Sequence, residues 1–168
     1  VENNIINQGN YGIRLAATAA SPGNVIRNNQ IQNTNISGIN VANLDSVVIA
    51  SNRIQIGTSN NNPSGIFADG LVNGFWISKN IISGAGEGIV LQGVNPSGAR
   101  RGQVVNNMIG GNFTVPGFFT DPYGINLDGA RNVDVFYNSV NMDQAQGYAM
   151  AVTGFGGGSC IIRNNSFA

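Results

Sequence analysis

Two aspartates, Asp69 and Asp128, close the same short phrase at two places in the chain, and each is followed by glycine. A pair of carboxylates at a fixed separation is the minimum apparatus for acid–base cleavage of a glycosidic bond. Gln92, Asn126, Glu87 and Tyr123 are further side chains that could hold a sugar. Other chemistries lack their residues. There is no histidine, which excludes imidazole catalysis and histidine metal sites. The single cysteine, Cys160, allows no internal disulfide and no thiolate zinc cluster. Eight Lys and Arg balance eight Asp and Glu, and only 10% of residues are charged, against roughly 25% in a typical soluble domain. Such a surface is unsuited to the phosphate contacts of nucleic-acid binding and to electrostatic attachment to anionic lipid.

The elements that position these residues repeat. An apolar residue, two others, Asn, any residue and an apolar residue recur as VENNII, IRNNQI, IASNRI, ISKNII, VVNNMI, VFYNSV and IIRNNSF. The asparagines are Asn4, Asn29, Asn52, Asn80, Asn107, Asn138 and Asn165, spaced by 25, 23, 28, 27, 31 and 27 residues. Two positions after each stands Ile6, Ile31, Ile54, Ile82, Ile109, Val140 or Phe167. A second phrase falls between them: GIRL at Gly12, GINV at Gly38, GIFA at Gly65, GIVL at Gly88, GINL at Gly124, and a degenerate AMAV at Ala149. Both phrases alternate with period 2, so both predict short strands with one buried face. No sustained 3.6-residue apolar stripe exists, and almost no helix is expected. No apolar stretch reaches the roughly 18 residues of a membrane span, so no membrane insertion is expected. The opening VENNIINQGN lacks the basic start and apolar run of a signal peptide.

Short strands recurring at this interval describe an all-β solenoid: one domain over residues 1–168, about seven coils, stacked at about 4.8 Å. The 27 Asn and 24 Gly fit its many tight turns. The recurring Asn is expected to mark a tight bend, to accept left-handed backbone there, and to bond coil to coil as an amide ladder. The chain starts and stops in mid-pattern and reads as a piece of a larger protein.

On these two phrases the chain resembles the right-handed parallel β-helix proteins, the fold of pectate lyases and of many bacterial surface proteins. VDVFYNSVNM, YAMAVTG and CIIRNNSFA further resemble repeats of large secreted or cell-surface proteins of the Bacteroidetes. The resemblance implies an extracellular or cell-surface location. It also implies sugar along the outer face of one sheet, here the Gly-Ile strands. That fold serves lyases, hydrolases, adhesins and tailspikes alike, so it does not give function.

Alternation points six pairs outward on that sheet: Arg14 and Ala16, Asn40 and Ala42, Phe67 and Asp69, Val90 and Gln92, Asn126 and Asp128, Ala151 and Thr153. The longest insertions, residues 92–102 with Arg100 and Arg101 and residues 110–123 with Phe113, Phe118 and Phe119, could wall a groove. Its floor would be Asp69, Val90, Gln92, Asn126 and Asp128, with Glu87 and Tyr123 at its edge. Asp69 and Asp128 would lie two coils apart, roughly 9–10 Å, at or just past the upper end of the ~6.5–9.5 Å of an inverting glycosidase pair. Three readings stand: a catalytic pair, a passive sugar-contacting surface, and plain Asp-Gly turns. A pectate-lyase chemistry, which the resemblance implies would need clustered acids for calcium and a basic residue, fits poorly. No two acids share adjacent coils of the outward columns, and Lys79 lies beside the Asn bend. No cofactor is expected, with room only for a weak structural Ca²⁺ held by an isolated Asp and backbone carbonyls.

Phe75 and Cys160 fall in an inward column, making Cys160 a buried, inert thiol. Trp76 alternates outward, free to pack against a neighbouring module. The leading expectation is a non-catalytic module of a secreted bacterial protein, a rigid scaffold or a surface for polysaccharide or for neighbouring domains. The alternative is a polysaccharide-active enzyme.

Overall fold

The computed structural model describes residues 1–57, 63–84, 86–97, 100–111, 122–143, 147–154 and 158–168. Among them there is no helix, and the seventeen strands pair only in parallel. The chain is a parallel β-solenoid. In chain order its strands are β1 (Ile5–Pro22), β2 (Val25–Arg27), β3 (Gln30–Asp45), β4 (Val48–Ala50), β5 (Arg53–Ile56), β6 (Ser64–Asp69), β7 (Trp76–Ser78), β8 (Ile81–Gly84) and β9 (Glu87–Gln92). There follow β10 (Gly102–Val105), β11 (Met108–Gly110), β12 (Tyr123–Asp128), β13 (Val133–Phe136), β14 (Ser139–Val140), β15 (Tyr148–Thr153), β16 (Ile161–Arg163) and β17 (Ser166–Phe167).

Each coil contributes one strand to a six-stranded sheet (β2, β4, β7, β10, β13, β16), one after the ladder asparagine, and one carrying the Gly-Ile phrase. In β1 and β3 the last two are a single bent strand; β3 bends by a bulge at Asn33, where φ is 56°. In later coils longer connections separate them. Five coils are complete, from β2–β3 to β13–β15, between a partial first coil (β1) and a partial last one (β16, β17). The expected seven full coils are thus reduced to five, although the asparagine register itself has seven rungs.

The core is built of columns. Ile31, Ile54, Ile82, Ile109 and Val140 stack in one. Ile39, Ile66, Ile89 and Ile125 form a second, and Ile26, Ile49, Ile77, Val104 and Val135 a third. All fourteen are buried. Identical or near-identical branched residues repeat one strand spacing apart, which is how a stack gains a core that one coil cannot make. Phe75 is buried as expected, beneath Gly102, where a Cβ would run into its ring. Cys160 is only half-buried, its Sγ 3.6 Å from the Ala130 carbonyl; the fully buried thiol is corrected, because the partial last coil leaves it less covered.

The asparagine ladder is continuous. Each Nδ2 donates to the Oδ1 of the next rung at 2.9–3.0 Å, from Asn4 through Asn165. The same Oδ1 also accepts the backbone N–H of the rung before at 2.9–3.1 Å. In the later rungs, Asn52 to Asn165, Nδ2 donates in addition to a core-strand carbonyl one coil back: Ile26, Ile49, Ile77, Val104 and Val135. Every polar atom of the buried amides is therefore matched, as burial requires.

One expectation at this bend is corrected. The left-handed residue is the one before each ladder asparagine: Asn3, Asn28, Ser51, Lys79, Asn106, Tyr137 and Asn164 have φ of 55–58°. The ladder residue itself turns its side chain inward and is absent from the positive-φ set. Asn tolerates φ > 0 at little cost, whereas a long side chain pays up to about 1–2 kcal/mol there. Lys79→Asn is therefore expected to raise stability by about 0.5–1 kcal/mol, read as a higher midpoint in thermal melts. An unchanged or lowered midpoint would show that the bend is not strained at Lys79.

Candidate functional site

The outward columns of the Gly-Ile sheet stand as the alternation predicts. Arg14, Asn40, Phe67, Val90, Asn126 and Ala151 are in register across β1, β3, β6, β9, β12 and β15. So are Ala16, Ala42, Asp69, Gln92, Asp128 and Thr153. Gln92 stands between the two aspartates and donates from Nε2 to Asp128 Oδ2 at 3.3 Å, while Thr153 Oγ1 donates to Asp128 Oδ1 at 3.3 Å. Both oxygens of Asp128 thus have neighbours from adjoining coils. The next residue in every complete coil is left-handed: Asn43, Gly70, Gly93, Gly129 and Gly154, with φ of 54–63°. Asp69 and Asp128 therefore sit at the last strand position before a corner.

The residue before each glycine of the phrase, or before Ala149 in its last copy, forms a third column: Tyr11, Ser37, Ser64 and Glu87 in register, with Tyr123 and Tyr148 paired further along. Ser37 and Ser64 share a hydrogen bond of 2.8 Å between their hydroxyls, and the rings of Tyr123 and Tyr148 stack with centroids 5.6 Å apart. Asn126 donates from Nδ2 to Glu87 Oε1 at 3.4 Å, and its buried Oδ1 has no hydrogen-bond partner. Tyr11, Ser37, Asn40, Ser64, Phe67 and Glu87 line a groove of about 280 Å³.

The expected residues thus occupy one face in two groups. Asp69, Gln92 and Asp128 run along the corner edge, and Glu87 and Asn126 meet near the groove. Val90 points the expected way but is buried. Tyr11, Ser37 and Ser64 were missed, although one position before glycine in successive copies is a periodic signal that the sequence carries. Arg100 and Arg101 do not wall this face: both line a cavity on the six-stranded sheet, Arg101 with its Nε 2.6 Å from Asp134 Oδ1. Phe113, Phe118 and Phe119 lie outside the described residues. Among the described residues no three His, Cys, Asp or Glu side chains converge as metal ligands.

No protein-family model, no curated protein and no solved structure matches this chain. The functional reading therefore rests on the geometry of its faces.

Proposed function

We propose that the chain is a non-catalytic module of a secreted or cell-surface bacterial protein, a rigid stack whose Gly-Ile face takes carbohydrate. The bacterial and extracellular setting rests on the repeat resemblance. The binding role rests on one observation: hydroxyl, amide, carboxylate and aromatic side chains stand in register beside a groove of about 280 Å³. The backbone of these strands is spent on the coil-to-coil ladder, so a ligand here is read by side chains. A charge-poor surface suits a polyhydroxylated ligand better than a polyanion.

A hydrolytic enzyme is the weaker reading. Asp128 is engaged by Gln92 and Thr153, and a Gln separates it from Asp69. Calorimetric titration with neutral oligosaccharides tests the proposal. The Asp69→Ala, Asp128→Ala double variant is expected to bind about tenfold more weakly, a change of ~1.4 kcal/mol, and Lys79→Ala to bind as the parent does. Undiminished affinity in the double variant would take the corner edge out of the site, and an absence of binding by the parent would overturn the proposal. Chain cleavage by the parent that the double variant lacks would replace binding by catalysis.

A further inference from the structure

The outer face of the six-stranded sheet holds a second, differently built concavity. Its outward column runs Val25, Val48, Trp76, Gln103, Asp134 and Ile161. Trp76, the chain's one tryptophan, is 46% exposed near the middle of the stack. Val48, Trp76, Arg100, Arg101, Gln103 and Asp134 line a cavity of about 490 Å³, within the size range of small-molecule sites.

Its polar wall is held in place before any ligand arrives. Arg101 donates from Nε to Asp134 Oδ1 at 2.6 Å, from Nη1 to Ser159 Oγ at 2.8 Å, and from Nη2 to the Ser159 carbonyl at 2.7 Å. Asp134 is 7% exposed, a buried carboxylate kept by this pairing. Gly74 leaves room for Arg100: a Cβ there would come within 2.7 Å of the arginine's Cβ. One of the two arginines is ion-paired. Arg101 faces Asp134, and Arg100 lies near Asp45, whose carboxyl is held below its usual range by the Ser46 hydroxyl, then Asn73, with Arg100 adding to them.

Hydrogen-bonding capacity remains. Among the described residues, Asp134 Oδ2, the Gln103 amide and the Trp76 indole N–H have no partner. Gln103 and Asp134 stand one and two coils from the Trp76 ring. The strand backbone is consumed by neighbours on both sides, so the face offers no free edge for a peptide strand. Arg101 spends its charge on Asp134, so the lining carries no cluster of free cations for a polyanion. A flat apolar ring beside unspent donors and acceptors suits a ligand that is apolar on one face and hydroxylated at its rim.

We infer that this cavity binds a neutral pyranose sugar, stacked on Trp76, with its hydroxyls held by Gln103 and Asp134. The site is separate from the Gly-Ile face and does not depend on it. Because Trp76 is the only tryptophan, its fluorescence reports this cavity alone. Titration with cellohexaose, xylohexaose and mannohexaose to about 10 mM, enough to saturate a site of ~1 mM affinity, is expected to give a saturable blue shift with at least one of them. Calorimetry should then show that sugar binding at least about tenfold more weakly to Trp76→Ala, and more weakly to Gln103→Ala. The Asp69→Ala, Asp128→Ala variant should keep the Trp76 blue shift at the parent's midpoint, whatever it loses at the Gly-Ile face. Flat emission with all three sugars, or parental affinity in Trp76→Ala, overturns the inference. Binding that survives Trp76→Ala but is lost in the aspartate variant also overturns it, while leaving the Gly-Ile reading intact.

Discussion

Asn80→Ala is expected to destabilise the protein by about 3–5 kcal/mol, among the largest losses a single substitution gives. The Asn80 side chain makes four bonds while wholly buried. Its Oδ1 accepts the N–H and the Nδ2 of Asn52, each at 3.0 Å, and its Nδ2 donates to Asn107 Oδ1 and the Ile49 carbonyl, each at 3.0 Å. Alanine strands donors on one rung and acceptors on the other, and each unmatched buried group costs about 1–3 kcal/mol. Asn80→Asp separates this account from mere loss of volume. The aspartate keeps an acceptor for Asn52 but turns an oxygen toward Asn107 Oδ1 and the Ile49 carbonyl. Burial and those neighbours raise its folded pKa above the unfolded value near 3.9. A group raised on folding favours the native state below the unfolded pKa, and that support is lost as pH rises through the folded pKa. The deficit of Asn80→Asp against the parent should therefore narrow from pH 7 to about pH 3 in denaturant titrations, whereas that of Asn80→Ala should not. Equal, pH-independent losses for both would contradict the directed amide.

Gly65→Ala is expected to cost about 2–3 kcal/mol through overpacking. A Cβ at Gly65 would come 2.6 Å from the Gly88 carbonyl oxygen and run into Ile82 Cγ2. The same holds along the column: Gly12 faces the Gly38 carbonyl at 2.6 Å and Ile31, Gly38 faces the Gly65 carbonyl at 2.8 Å and Ile54, and Gly124 faces the Ala149 carbonyl at 2.6 Å and Val140. Each glycine thus lets the isoleucine of the next asparagine phrase, or Val140 at Gly124, fill the corner. The obstacle is partly backbone, so it cannot rotate away without opening the spacing between coils. Ala149 occupies the corresponding position in the last copy, where the chain tolerates a Cβ. Ala149→Gly should change stability by no more than the ~0.5–1 kcal/mol of added chain entropy. A melting point for Gly65→Ala equal to that of the parent would mean the coils are not packed this closely.

The columns were legible because period 2 within a strand and a near-constant interval between copies leave one arrangement: Ile54 over Ile31, Asp128 two coils from Asp69. The role of Gly65 and its equivalents was not, since the close approach is to an isoleucine of another phrase. The left-handed position was hidden by doubled asparagines: in Asn28-Asn29 and Asn106-Asn107 either residue could take it. The φ of Asn28 and Asn106, shared by Ser51, Lys79 and Tyr137 where the pair is not doubled, puts it on the first residue. On the Gly-Ile face, Gln92 and Asp128 could be paired by counting. The placement of Arg101 could not, because it follows from the Arg101–Asp134 ion pair, 33 residues apart and outside any repeat. The Trp76 cavity is lined by that same arginine and was equally out of reach.

One coil-to-coil amide ladder joins the asparagines, and hydrogen exchange of their side-chain amides reads it out. By NMR, the Nδ2 protons of Asn52, Asn80 and Asn107 should exchange slower than those of exposed Asn10 and Asn35 by a factor of about 10³ or more, as groups do that exchange only through sub-global opening. The protection should fall off together in Asn80→Ala. Exchange of Asn52, Asn80 and Asn107 at the rate of Asn10 and Asn35 would contradict the ladder and the stacked coils it joins.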